Sequence, residues 1–343
     1  MKFLISAAGT GGHVFPAIEF GKECIVKDNE VIWIGTKTGI ENRVLPQNIK
    51  LLTIPMRGFR GKNFISKIGS LASLITSIFK SIYYILRNNI DYVVCFGGYI
   101  SLPVGLSAWI CRKPLFLHEQ NAVIGTSNRL LIKFSKLIFL GFQINEPIKE
   151  NMFLVGNPIK KSNKYLSSDG NPRPLRIYVT GGSQGSEYIN QNIPKALTAL
   201  ELPIEVRHQS GKGKSSGVKE LYSSKILAEV VEFYDSPQDS ILWSDFIISR
   251  AGALSLSEAI SLNRGSLMIP LPSAIDNHQL LNAINISELK MGVLHEESES
   301  IESLSKKLKN IIEQKLYVQW SEPVNNIDHF QAARRMLSSI LKS

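Results

Sequence analysis

The residues Ser6-Ala7-Ala8-Gly9-Thr10-Gly11-Gly12-His13 follow the apolar run Phe3-Leu4-Ile5 and precede Pro16-Ala17-Ile18. Strand, glycine loop and helix start, in that order, aim bare backbone N–H groups and a helix N-terminus at an anion. Glycine allows close backbone approach and positive φ. Pro16 fits the first turn of the helix, where its missing N–H costs nothing. His13 stands near where the dinucleotide fingerprint wants glycine or a small residue, so the loop is not that fingerprint. A histidine imidazole ordinarily titrates near neutral pH, which makes His13 a candidate general base. A second loop, Gly181-Gly182-Ser183-Gln184-Gly185-Ser186, adds two hydroxyls at a helix start and suits a diphosphate.

Other clusters complete the chemical inventory. In Ala253-Leu254-Ser255-Leu256-Ser257-Glu258, Ser255 or Ser257 is expected to cap a helix. Glu258 falls in its first turns, where a carboxylate is favoured by the helix dipole and can hold a ribose diol. Asp276, Asn277, His278, Gln279 and Asn282 form a polar cluster before a helix, suited to sugar hydroxyls or to capping. His118-Glu119-Gln120-Asn121 sets four polar side chains at a strand end, and His118 is a further candidate base. No Ser-His-Asp spacing and no clustered metal motif such as HExxH or an EF-hand loop is present.

The elements that must position these residues alternate. Strands are expected at Lys2–Ser6, Glu30–Ile34, Leu51–Ile54, Asp91–Phe96, Leu115–Leu117, Leu175–Thr180, Ile204–His208, Glu229–Phe233, Asp245–Ser249 and Gly265–Ile269, with helices between them. This β–α alternation predicts α/β architecture with parallel, doubly wound sheets, whose ligands bind at strand carboxyl ends. Lys161–Pro174, rich in Ser, Asn, Asp, Gly and Pro, reads as a loop near a linker. Two glycine loops opening two halves predict two domains with a cleft between them.

The chain has 343 residues, 44% hydrophobic and 20% charged, as expected of a globular protein with real cores. Its net charge of +10 points to an anionic partner. Basic residues are dispersed and RNA-binding signatures are absent, so a nucleic-acid partner is not expected. Cys24, Cys95 and Cys111 are scattered and read as reduced thiols. The apolar start stops at the glycine loop, too soon for a signal peptide. No apolar run approaches the ~20 residues that span a bilayer. Phe64–Leu86 has Phe64, Ile65, Ile68, Leu71, Ile75, Ile78, Phe79, Ile82 and Leu86 at helical spacing, with Ser66, Lys67, Ser70, Ser73, Ser77, Lys80 and Arg87 opposite. Two uses of that stripe are open: packing on the sheet, or contact with an anionic membrane rimmed by Lys62, Lys67 and Lys80.

Taken in order, Gly9-Thr10-Gly11-Gly12-His13-Val14-Phe15-Pro16-Ala17, Arg57-Gly58-Phe59-Arg60-Gly61-Lys62, Gly97-Gly98-Tyr99, His118-Glu119-Gln120-Asn121, Gly156-Asn157-Pro158, Gly181-Gly182-Ser183-Gln184-Gly185, His208-Gln209-Ser210-Gly211-Lys212 and Ala251–Glu258 form a specific set. Across essentially its whole length the chain resembles the MurG family, GT-B N-acetylglucosaminyltransferases of bacterial peptidoglycan synthesis. The resemblance implies two Rossmann-like domains: an acceptor and membrane-facing domain over 1–158, a UDP-GlcNAc domain over 159–322, and a terminal helix over 323–343 packing back on the first. It implies inverting transfer of GlcNAc from UDP-GlcNAc to the muramyl 4-hydroxyl of lipid I. No metal cofactor is expected, and UDP-GlcNAc is a substrate. The implied location is the cytoplasmic face of the bacterial inner membrane, held peripherally. Lipid I, an anionic membrane surface and cell-wall synthesis proteins are the expected partners. An epimerase acting on UDP-GlcNAc, or a non-catalytic nucleotide-sugar scaffold, is the alternative.

Residue by residue, the resemblance places the donor against Thr10, Gly11, Gly12, Asn121, Lys160, Ser183, Tyr234, Ala253, Leu254, Ser255, Leu256, Ser257, Glu258 and Gln279. Tyr234 matches a position whose backbone meets uracil, Glu258 a ribose ligand and Gln279 a reader of sugar hydroxyls. The acceptor diphosphate is assigned to Gly9, Thr10, Gly11, Gly12, His13 and Tyr99. His13 matches the loop histidine considered catalytic, with Glu119 and His118 as runners-up for the base. The chain departs from the pattern at Ala7-Ala8, where glycines are usual, at Lys160 for arginine, at Tyr234 for an aliphatic and at His278 for glutamine.

Overall fold

The computed structural model describes residues 1–56, 64–161, 173–321 and 328–343, and the side chains of 64–68 lie outside that description. The Arg57–Lys62 segment is therefore outside it, as is the side chain of Lys67. The chain divides into two compact units, Met1–Lys160 with Ile327–Ser343, and Lys161–Asn326.

The first unit runs β1 (Lys2–Ser6), α1 (Gly11–Val26), β2 (Glu30–Gly35), α2 (Glu41–Val44), β3 (Lys50–Thr53), α3 (Phe64–Arg87), β4 (Tyr92–Cys95), α4 (Ser101–Ile110), β5 (Leu115–Glu119), α5 (Thr126–Leu131), β6 (Leu137–Leu140) and β7 (Met152–Leu154). Its sheet has the order β3-β2-β1-β4-β5-β6-β7, and every pairing is parallel. Side chains alternate between two cores. Phe3, Ile5, Trp33 and Phe116 enter one, while Leu4, Ile34, Val93 and Leu117 enter the other. Both faces being covered is why the strands read as apolar runs rather than alternating ones. The order reverses between β1 and β4, so the loops after these strands part there, as at the switch point of a doubly wound sheet.

The second unit runs β8 (Leu175–Thr180), α6 (Glu187–Thr198), β9 (Ile204–Gln209), α7 (Ser215–Lys219), β10 (Leu227–Val231), α8 (Pro237–Trp243), β11 (Phe246–Ser249), α9 (Ala253–Ser261), β12 (Ser266–Met268), α10 (His278–Glu288), β13 (Gly292–Leu294), α11 (Ile301–Glu313) and α12 (Leu316–Trp320). Its parallel sheet has the order β10-β9-β8-β11-β12-β13, with the reversal between β8 and β11. The last helix, α13 (Ala332–Lys342), belongs to the first unit. Its Met336, Leu337 and Ile340 join the core that holds Phe3 and Trp33.

Three sequence expectations change. Helix α1 starts at Gly11, so Pro16 lies inside it rather than in its first turn. The loop glycines themselves make that first turn, and Pro16 cannot donate to the Gly12 carbonyl one turn back. Helix α3 is turned over relative to an apolar-inward reading. Ser70, Ser77, Ser81 and Ile85 are buried, whereas Leu71, Ile75, Phe79 and Leu86 are 55%, 48%, 69% and 58% exposed. Serines on the inner face let α4 come close, and Ser107 Oγ on α4 donates to the Ile78 carbonyl at 3.0 Å. The window Gly69–Arg87, of 19 residues and mean hydropathy 1.3, is long and apolar enough to cross a membrane by length and composition, contrary to the expectation of no such run. Its serine face is nonetheless buried, with α4 packed against the helix.

Three buried histidines make stability pH-dependent. Burial pushes His118 and His208 down to about 4 and His329 to about 3. Their unfolded forms titrate near the ordinary value of ~6.5. Below that pH the unfolded chain takes up protons that the native state refuses, so native stability is lost as pH falls toward 4. Melting temperature should drop progressively from pH 7 to pH 5, and a flat or rising profile would contradict these burial assignments.

Candidate active site

The first unit gathers its polar residues at the carboxyl ends of β1, β4 and β5. Gly9 has φ +96° and is exposed, and Tyr99 packs beside it. Thr10 precedes α1 as its N-cap without a side-chain cap bond; its Oγ1 instead lies 3.1 Å from His13 Nδ1. Gly11, Gly12 and His13 form the first turn of α1. The Gly11 and Gly12 N–H groups have no carbonyl one turn back, whereas the His13 N–H donates to the Thr10 carbonyl at 3.2 Å. Gly97 and Gly98 adopt φ +86° and +74°. A Cβ on Gly97 would sit 3.0 Å from His13 Cδ2, so this glycine lets the imidazole lie against backbone. When the Thr10 hydroxyl accepts from Nδ1–H, Nε2 carries the lone pair a base needs.

His118 and Glu119 are used differently. His118 is fully buried; its Nε2 contacts the Gly156 carbonyl at 3.1 Å, and its ring lies 5.2 Å from Phe96. Burial holds it neutral. Glu119 is also buried, and burial raises its pKa. Its carboxylate accepts from the Asn121 N–H and Nδ2, each at 3.2 Å, and from the Gly125 N–H and Asn128 Nδ2, each at 2.9 Å. Glu119 thus staples the loop that presents half-buried Asn121. Asn157, of the Gly156-Asn157-Pro158 motif, donates Nδ2 to the Gln120 carbonyl and its N–H to His329 Nδ1, at 3.0 and 2.8 Å. That motif anchors strand-end loops.

The second unit presents its residues at the carboxyl ends of β8, β10, β11 and β12. Ser183 is exposed in the glycine loop. Ser186 is buried and caps α6, accepting from the Ile189 N–H at 3.3 Å, so only one of the two loop hydroxyls remains on the surface side. The N-cap of α9 is Gly252, not Ser255 or Ser257. Ser257 Oγ donates back to the Ala253 carbonyl at 2.8 Å from a buried position, and Leu256 is buried in the core. What α9 offers an anion is the backbone of Ala253, Leu254 and Ser255. Glu258 accepts from Gln238 Nε2 at 3.2 Å. Burial pushes its carboxyl up to about 7, with Gln238 opposing the shift. Hydroxyls donated to it would favour its charged form.

The Gly181–Ser186 loop is drawn from the glycosyltransferase family 28 C-terminal domain, whose model matches residues 176–334, while the N-terminal domain model matches residues 3–140. The chain belongs to glycosyltransferase family 28. A Psychrobacter arcticus relative, named UDP-N-acetylglucosamine--N-acetylmuramyl-(pentapeptide) pyrophosphoryl-undecaprenol N-acetylglucosamine transferase, is 35% identical over 310 residues, 86% of each chain. The crystal structure of Acinetobacter baumannii MurG is 30% identical, with a TM-score of 0.85 over 100% of this chain and 99% of that one. A Listeria monocytogenes protein described as a UDP-N-acetylglucosamine 2-epimerase is 14% identical with a TM-score of 0.68, a likeness of fold alone. The two parallel-sheet units are those of a GT-B glycosyltransferase.

In this family 28 enzyme the remaining sequence-selected residues are placed as follows. Tyr234 is half-buried, its ring 6.0 Å from Tyr178, and its N–H donates to Gln209 Oε1 at 3.1 Å. The amide at that position is thus already engaged within the unit. Gln279 Oε1 accepts from the Leu271 N–H at 2.9 Å, which fixes which end of its carboxamide points outward from that bond. Asp276 and Asn277 hold left-handed φ of 54° and 52° at the entry to α10, and Asn282 is buried against the Ala251 carbonyl at 3.1 Å. Lys160 is exposed. Sequence reasoning named Gln209 only as part of a motif and missed Gln238 and Asn128, polar side chains whose only signal was their place one or two positions from a helix start. Among the described residues no group of three His, Cys, Asp or Glu side chains converges on a metal position.

Proposed function

We propose that this chain transfers N-acetylglucosamine from UDP-GlcNAc to the muramyl 4-hydroxyl of undecaprenyl-diphosphate-MurNAc-pentapeptide, giving lipid II and UDP. The observation that carries the reading is 35% identity, over 86% of both chains, to a relative named for that transfer. In this reading the acceptor oxygen attacks the anomeric carbon from the face opposite UDP. The carbon–phosphate-oxygen bond breaks, the hydroxyl proton passes to His13, and UDP leaves with the bond's electrons. Backbone N–H groups at the starts of α6 and α9 take the charge that develops on the diphosphate, fixed donors of this kind stabilising it without reorganising, and Lys160 is the cation assigned to the donor. Glu258 takes the ribose, Tyr234 the base and Gln279 the sugar hydroxyls. Gly9–His13 and Tyr99 take the acceptor diphosphate.

Radiolabelled UDP-GlcNAc mixed with a lipid I analogue tests the reading. Label moving into lipid supports it. Release of ManNAc would instead mark an epimerase, and binding with no turnover would mark a scaffold.

The lipid-borne acceptor calls for a membrane-facing surface, and α3 supports one. Leu71, Ile75, Phe79, Tyr83 and Leu86 are exposed along one side of the helix, and α4 beside it ends in exposed Trp109 and Ile110. Trp109 is not core; its ring lies 4.9 Å from Phe134. Lys80, Arg87, Arg112, Lys113 and Lys133 stand on these same elements or next to them. An apolar strip with basic neighbours binds anionic interfaces, each cation near the surface adding about 1 kcal/mol. Phe79→Glu should cut sedimentation with anionic vesicles about tenfold or more while leaving the melting temperature within a degree or two, because the side chain is already exposed. Undiminished vesicle binding would remove α3 from the proposed surface.

A further inference from the structure

The His208-Gln209-Ser210-Gly211-Lys212 motif has so far no chemical task, yet its second residue is wired into two loops. Gln209 ends β9 and is buried. Its Nε2 donates to the Gly182 carbonyl at 3.1 Å and reaches Thr180 Oγ1 at 3.4 Å. Its Oε1 accepts from the Tyr234 N–H at 3.1 Å. One planar carboxamide therefore joins the glycine loop after β8 to the segment after β10. The flanking residues hold it rigid. His208 lies between Tyr222 Oη and Asn190 Oδ1, at 2.9 and 3.1 Å, and Asn190 Nδ2 holds the Ser210 carbonyl at 2.9 Å. The donor face and the acceptor face of a carboxamide cannot both be kept by a carboxylate or an aliphatic side chain.

We infer that Gln209 is a positioning residue that couples the two ends of the nucleotide site, fixing the diphosphate loop and the nucleoside-reading backbone in one geometry. The inference rests on the donor assignment proposed above. Nucleoside diphosphate then meets both ends preset, and loss of either bond loosens one end only. Gln209→Leu removes both bonds. Gln209→Glu keeps an acceptor for the Tyr234 N–H but offers no donor to Gly182. Thr180→Val removes the hydroxyl that accepts from the Gly182 N–H at 3.0 Å and leaves Gln209 in place.

Calorimetric titration with UDP, CDP and ADP, together with donor KM and kcat, tests this. Gln209→Leu, which loses both bonds, is expected to raise the UDP Kd and donor KM about tenfold or more and to lose preference for UDP over the other two. Gln209→Glu and Thr180→Val should weaken UDP but keep the base preference. Wild-type affinity in Gln209→Leu overturns the coupling. Equal loss of base preference in all three variants, tracking a lower melting temperature, also overturns it, since that is a structural effect. If the wild-type protein itself does not bind UDP, the donor assignment fails and takes this inference with it.

Discussion

His13→Ala is expected to lower kcat by about 10²–10⁴ while changing UDP affinity little, the loss typical of removing a positioned base. The local structure supports the assignment in three ways. His13 is carried on the first turn of α1, at the carboxyl end of β1 next to the strand reversal. Thr10 Oγ1 lies 3.1 Å from its Nδ1 and fixes the ring orientation. Gly97, at positive φ, leaves room for the ring, since a Cβ there would sit 3.0 Å from His13 Cδ2. Thr10→Val should then shift the pH–rate profile more than it changes donor KM, because it frees the imidazole tautomer. The rival bases answer to a different measurement. His118 is buried and held neutral, and Glu119 is committed to Asn121, Gly125 and Asn128. Substituting either is expected to lower the melting temperature, whereas His13→Ala should not. Near-normal turnover in His13→Ala would eliminate it as the base.

The loops were more legible than the faces. Glycine runs at Gly9, Gly97 and Gly181 mark turns that no other residue makes easily, and each proved to follow a strand of a parallel sheet. Strands β6, β7 and β13 were not read, because Leu137–Leu140, Met152–Leu154 and Gly292–Leu294 are too short to stand out from helix-like runs. Helical periodicity found α3 but cannot tell which side faces inward. The decision lay in Ser70, Ser77 and Ser81, whose small size permits close packing on α4, and that is a property of two elements together. Hydroxyl roles were likewise ambiguous. Ser186 and Ser257 looked like ligands or caps, and the structure uses one as the α6 cap and the other inside α9. Gln209 stood in the sequence only inside a motif without a task, since its meaning depends on where β8 and β10 end beside β9.

Gly185→Ala is expected to destabilise the second unit by about 3–4 kcal/mol and to abolish UDP binding at concentrations that saturate the wild type. Two costs combine there. Gly185 holds φ +72°, where an L residue costs ~1–2 kcal/mol. Its Cβ would also fall 2.1 Å from the Ser210 carbonyl oxygen. That oxygen cannot retreat freely, because Asn190 Nδ2 holds it at 2.9 Å and the Ser210 N–H is paired to Val231 across the sheet at 2.9 Å. Gly211 makes the reciprocal contact, its own Cβ position lying 2.7 Å from the Gln184 carbonyl. The glycine loop is thus seated backbone to backbone on the residues after β9, which is why both sequences carry glycine. Gly213 provides the control. It too has positive φ, +73°, but nothing lies within 4 Å of its Cβ position. Gly213→Ala should therefore cost only the left-handed strain, about 1 kcal/mol. Urea denaturation of the two variants isolates the contact as the difference between them, and equal destabilisation would mean that φ alone, not loop seating, selects glycine at 185.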